Sequence, residues 1–207
     1  MNPDLQSTAP PTGTRQRLVA AARDAIREGG IGSATARDIT RRAEANLAAI
    51  PYHFGTKDAL VTEALIADAR TIIDPVLALL SSDQPPEARA LGAAGLLNQQ
   101  FERERARVPV LLTAVARAPH SPAVAAGLAQ LWSELRTRLA DDLRALVDAR
   151  RVPPWVEPDA MAGLIVAVVS GVVVASVVDP DGPEHHDVGN QFLMLLMAVA
   201  TTEGDAS

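Results

Sequence analysis

The chain has 207 residues, a formal net charge of −6 and no cysteine, which excludes disulfides, cysteine metal sites and thiol redox chemistry. Aromatic residues supply only 3% of it, so alanine, leucine and valine must fill the interior, which suits packed helices better than a β-sandwich. The charge is uneven: residues 1–58 carry eight basic and six acidic side chains, the other 149 carry eleven and nineteen. An acidic total therefore does not describe the field of the N-terminal face.

Residues 1–13, ending APPTG, read as a flexible arm, and they lack the basic and apolar regions of a signal peptide. Thr14 is a plausible N-cap for a helix from Arg15 to Glu28, with Leu18, Ala21, Ala22, Ala25 and Ile26 on one face. Gly29 and Gly30 can end it through a positive φ. Thr35 opens a second helix, to about Arg42, with Asp38 as the acidic member of a capping box. After the turn AEA, Asn46 reads as the side-chain cap of a third short helix, with Leu47 its first residue and Pro51 its fifth. A proline there lacks the amide that would reach the carbonyl of Leu47, which predicts a tightened or kinked first turn. Gly55 stops that helix, and Thr56 caps the next, which carries Leu60, Val61, Ala64 and Leu65 toward Val76. Three helices over 15–54, the last two joined by a tight turn, form the helix-turn-helix pattern, whose second helix enters the major groove.

Residues 14–60 contain ARDITRRA and YHFGTKDAL, and this stretch resembles the N-terminal domain of the TetR-type transcriptional regulators. The resemblance implies an all-α homodimer: a helix-turn-helix DNA-binding head over 14–58 and a helical effector-binding and dimerisation bundle over 59–201, with 202–207 a flexible tail. It puts Thr35 and Arg37 where the second helix approaches the DNA backbone, and Asn46, Leu47 and Ala48 at the exposed start of the recognition helix. Tyr52 and His53 fall where that helix meets phosphates, and Lys57 at the next helix N-terminus. The family commonly has a tyrosine where this chain has Pro51, and a small or basic residue at Leu47, so the base contacts depart from its pattern. The residues themselves support phosphate contact by Lys57, a point charge in a helix first turn. Arg37 is the better DNA candidate of its helix, whereas Arg41 and Arg42 can pair with local acids. Asn46 can read adenine or cap the helix, and the cap is favoured. Leu47, Ala48 and Ala49 offer apolar contact alone, which favours thymine methyl groups and leaves part of the specificity to DNA shape. Phe54 reads as a core plug. One short helix reads too few bases to select a site, so a dimer on a near-palindromic operator is expected.

Beyond the loop SSDQPPE at 81–87, helices are expected over 91–107, 108–118, 123–150, 160–178 and 188–200. The fourth of these segments, AMAGLIVAVVSGVVVASVV, has the length of a membrane span but reads as a helix buried between partners, because its valines alternate with small residues. With the final helix it would form a four-helix dimer interface using Leu164, Val169, Val173, Val177, Phe192 and Leu196. A small apolar or amphipathic effector would lie between the middle helices, near Phe101, Leu112, Val115, Trp132 and Leu135, with Asn98, Gln99, Gln100 and His120 as polar candidates. Asp141 and Asp142 read as solvated charge. No nucleophile elbow, phosphate loop or H-E-x-x-H motif occurs, and EHHD at 184–187 converges only in a loop, so no enzyme, cofactor or metal is expected. The expectation is a cytoplasmic regulator, by default a repressor, released from DNA by its ligand. The competing reading is a homodimeric ligand-binding or adaptor protein without sequence-specific DNA binding.

Overall fold

Among residues 13–179, 181, 182, 187, 188, 191 and 194, which the computed structural model describes, all regular structure is helical. Residues 1–12 of the expected arm, the expected tail, Phe192, Leu196 and most of EHHD lie outside the described residues. The order is α1 (Thr14–Gly29), α2 (Ala36–Arg42), α3 (Ala49–Phe54), α4 (Lys57–Leu80), α5 (Pro86–Arg103), α6 (Val108–Arg117), α7 (Pro122–Asp148) and α8 (Pro158–Val178). Two compact units divide between Ala67 and Asp68, inside α4.

In the first unit, α1 buries Leu18, Ala21, Ala22, Ala25 and Ile26, the face its spacing predicts. Its N-cap is Gly13 rather than Thr14; Gln16 reaches back so that its Oε1 accepts from the Gly13 amide at 3.3 Å. At the other end Gly30 takes φ 73° and its amide bonds the Ile26 carbonyl, so the second glycine of the pair makes the stop. Ile39, Ala43 and Ile50 complete the core of α1–α3, and the first half of α4 adds Leu60, Val61, Ala64 and Leu65. These four residues explain why the unit extends past residue 58.

The second unit centres on Val76, Leu80, Ala93, Leu135 and Val166, brought together from α4, α5, α7 and α8. The stripe on α7 buries Leu128, Leu131, Leu135 and Leu146, but it also contains Asp142, which is 3% exposed and not the solvated charge expected of it. Its carboxylate meets the Arg89 guanidinium from α5, and Arg89 donates further to the Ser82 carbonyl at 2.9 Å. A charge this deeply buried is tolerated because its oxygens face that guanidinium.

Candidate nucleic-acid interface

The link between α2 and α3 is built almost entirely from backbone bonds. The Ala45 amide bonds the Thr40 carbonyl at 2.9 Å and the Glu44 amide bonds that of Arg41 at 3.3 Å, the paired pattern of a Schellman end. Glu44 occupies the left-handed position at φ 49°, where glycine is usual. From α1, the Arg17 Nε donates to the Ala43 carbonyl at 3.1 Å and ties the turn down.

Asn46 does not cap α3 directly. Its Oδ1 accepts from the Ala48 amide at 2.9 Å, two residues on, and forms a turn ahead of the helix. Ala49 and Ile50 then bond back three residues, to Asn46 and Leu47, before the Tyr52 amide makes a four-residue bond to Ala48. The tightened start expected from Pro51 is therefore present, but the helix proper begins at Ala49 rather than Leu47. Pro51 is its third residue, where no helical partner awaits an amide, so the proline costs no hydrogen bond. Gly55 closes the helix at φ 72°, its amide on the Pro51 carbonyl.

Thr35 caps α2 by accepting from the Asp38 amide at 3.2 Å. The reciprocal half of the expected capping box is replaced, because Asp38 binds Arg41 and Arg42, and Arg42 also meets Glu28 of α1. Hydrogen bonding from Arg41, then Arg42, holds the Asp38 carboxyl below the ordinary range, and Arg42 does the same to Glu28. Two arginines of α2 are thus neutralised. Arg37 and Lys57 are exposed and pair with no acid among the described residues. Thr35, Arg37, Asn46, Leu47, Ala48, Tyr52 and Lys57 are all exposed, while His53 is half-buried. Tyr52 stands 84% exposed and Leu47 50%. Lys57 is the first residue of α4, and Thr56 Oγ1 accepts from the Ala59 amide at 3.0 Å.

Phe54 is half-buried instead of serving as a core plug. The Arg15 guanidinium lies over it, 5.0 Å from the ring centroid, and both terminal nitrogens meet the Glu63 carboxylate at 2.6 Å. From Phe54 the rings run edge to face, through His53 at 6.3 Å and on to Tyr52 at 4.8 Å. Sequence reasoning did not single out Arg15 or Glu63, which lie 48 residues apart in the chain.

The model of "Bacterial regulatory proteins, tetR family" matches residues 18–64, and that of "BetI-type transcriptional repressor, C-terminal" matches 86–193. The chain belongs to the TetR family of transcriptional regulators. Among solved structures, a transcriptional regulator from Rhodococcus sp. Rha1 is 26% identical, with 90% of this chain and 97% of that one covered and a TM-score of 0.64. A TetR transcription regulator from Haloarcula marismortui shares the fold at 20% identity and a TM-score of 0.77, covering 90% and 97%. Reduced NemR from E. coli does so at 16% and 0.72, covering 90% and 99%. No curated protein matches.

In this TetR-family chain, α8 packs on α7 with Ala162, Val166 and Val173 inward. Val169 is half-buried on that same heading, and Val173 is only 5% exposed, so Val173 belongs to the subunit's own core and not to a free face. Val177 shares the heading but is 44% exposed near the helix end. The outward stripe is Ala160, Leu164, Ala167, Gly171, Val174 and Val178, exposed at alternating spacings of four and three. By length and composition alone α8 could cross a membrane. Of the expected effector residues, Leu135 is buried and Phe101, Leu112 and Trp132 are half-buried. Val115 is 37% exposed, the most open of the five. Asn98 and Gln99 line an open surface depression with Glu102 and Arg103, while the neighbouring Gln100 points into the core.

Proposed function

We propose that this TetR-family protein is a cytoplasmic repressor that binds a near-palindromic operator as a homodimer and leaves it when a small apolar or amphipathic ligand binds the body. One observation carries the reading. Around the helix-turn-helix, Arg37 and Lys57 are exposed and pair with no acid among the described residues, Tyr52 protrudes beside an apolar tip, and the other arginines of α2 are held by acids. Phosphate contacts from Arg37, Tyr52, His53 and Lys57 would fix register, and Leu47 with Ala48 would face base edges. Because Asn46 Oδ1 is engaged with the Ala48 amide, base reading falls to apolar contact, which favours thymine methyl groups.

The outward stripe of α8 supports the dimer: a long apolar surface with small residues that let a second helix approach closely. It replaces the Val169–Val173 heading as the partner-facing side, with Leu164 common to both views. The effector would sit among Phe101, Leu112, Trp132 and Leu135, and would release DNA only by binding the DNA-incompetent arrangement more tightly. Selection of bound duplexes from a random pool, with and without candidate apolar effectors, tests the reading. A two-fold related, thymine-containing site and loss of enrichment with an effector are expected. Failure to enrich any duplex would leave the adaptor reading in its place.

A further inference from the structure

We propose that Arg15 is a positioning residue for DNA binding: gripped by Glu63 and laid over Phe54, it fixes the ring series that ends in Tyr52. The inference rests on reading residues 35–57 as the DNA-binding surface.

The recognition helix α3 has six residues and buries one large side chain, Ile50. A single buried anchor holds a short helix to the core but does not stop it from rotating about its own axis. A second anchor is needed, and Phe54 at the far end is the candidate, although it is only half-buried. Arg15 supplies the missing cover. Its two terminal nitrogens each meet one Glu63 oxygen at 2.6 Å, and this two-point pairing fixes the plane of the guanidinium. The guanidinium carbon then lies 5.0 Å from the Phe54 centroid, a cation–π distance. Three helices, α1, α3 and α4, thereby meet at one guanidinium. The edge-to-face contacts from Phe54 to His53 and from His53 to Tyr52 carry that constraint to the two side chains expected at the DNA backbone.

The opposing interpretation is that Arg15 is itself a phosphate ligand, partly screened by Glu63. The two differ in sign. Neutralising Glu63 would free a phosphate ligand and remove a repelling acid, so binding would tighten; if Arg15 positions α3, binding weakens.

The test uses the full chain and a duplex recovered by selection from a random pool. Wild type, Arg15→Gln, Glu63→Gln and Phe54→Leu are compared for affinity and for its dependence on salt. Tyr52 is the single tyrosine, so uniform 3-fluorotyrosine labelling gives one fluorine resonance that reports this side chain without DNA. Each variant is expected to bind roughly fivefold or more weakly, with the logarithmic salt slope of wild type, and Glu63→Gln is expected to shift the fluorine resonance. Glu63→Gln is isosteric at a partly exposed site, so it keeps the test open should Arg15→Gln unfold. Equal or tighter binding by Glu63→Gln overturns the proposal. So does an unmoved fluorine resonance, or an Arg15→Gln slope smaller by about one, the mark of a lost phosphate contact. If wild type enriches no duplex, the DNA-binding reading fails and the proposal with it; if wild type binds and Glu63→Gln does too, undiminished, only the proposal fails.

Discussion

Lys57 and the arginines of α2 show how charge alone misleads at the scale of a residue. The basic excess of the head suggests several phosphate ligands, yet Arg41 and Arg42 are occupied by Asp38 and Glu28, and Arg15 by Glu63. Lys57 has no acid partner among the described residues and opens a helix whose free amides also favour anions. Lys57→Ala is therefore expected to weaken binding by a similar factor on every duplex and to reduce the logarithmic salt slope by about 0.9. Titration of binding at several salt concentrations checks this, and a change in preferred sequence would place Lys57 at the bases instead. The pairing of Arg41 and Arg42 could be suspected from the sequence, since Asp38 sits three and four residues before them. The pairing of Arg15 with Glu63 could not, because nothing local links them.

At the scale of an element, α3 is where local rules and context met. Gly55 and Thr56 were legible because each acts on backbone within a few residues. The start of α3 was misplaced by two positions because Asn46 engages the amide two residues on, which resembles a helix cap in sequence but makes a separate turn. With the helix starting at Ala49, Pro51 occupies a first-turn position and limits the freedom of the unfolded chain. Pro51→Ala should then lower stability by about 0.4–1 kcal/mol instead of relieving a mid-helix penalty of about 3 kcal/mol. Denaturant unfolding distinguishes the two signs. The faces of α8 were beyond sequence reasoning for a different reason. A helix apolar on every side gives periodicity no contrast, so the Val169–Val173 line could not be told from the Leu164–Val174 line until α7 was seen to cover the first.

For the whole molecule, that distinction becomes a prediction about assembly. Val174 is 47% exposed and Val173 5%, though they are adjacent. Val174→Asp is expected to yield a folded monomer with operator binding reduced at least tenfold, since each half-site is then held by one head. Val173→Asp is expected to unfold the body, because a carboxylate would be buried with no cation to meet it. Light scattering for mass and circular dichroism for helix content separate the outcomes. A Val174→Asp protein that remains dimeric would move the interface off this stripe. The all-α plan and the head were readable because their signals are local caps and a compact motif. The body was readable only as a series of helices, since partners such as Arg89 and Asp142 converge from separate helices.

The division between Ala67 and Asp68 bears on how such proteins can be recombined. A head cut after residue 58, where the motif ends, would leave behind Leu60, Val61, Ala64 and Leu65, and also Glu63. A transplanted head keeps its core and its Arg15 clamp only if the first eleven residues of α4 travel with it. The natural exchange point between heads and bodies in this chain is thus inside a helix, and a functional chimera must be joined there in helical register.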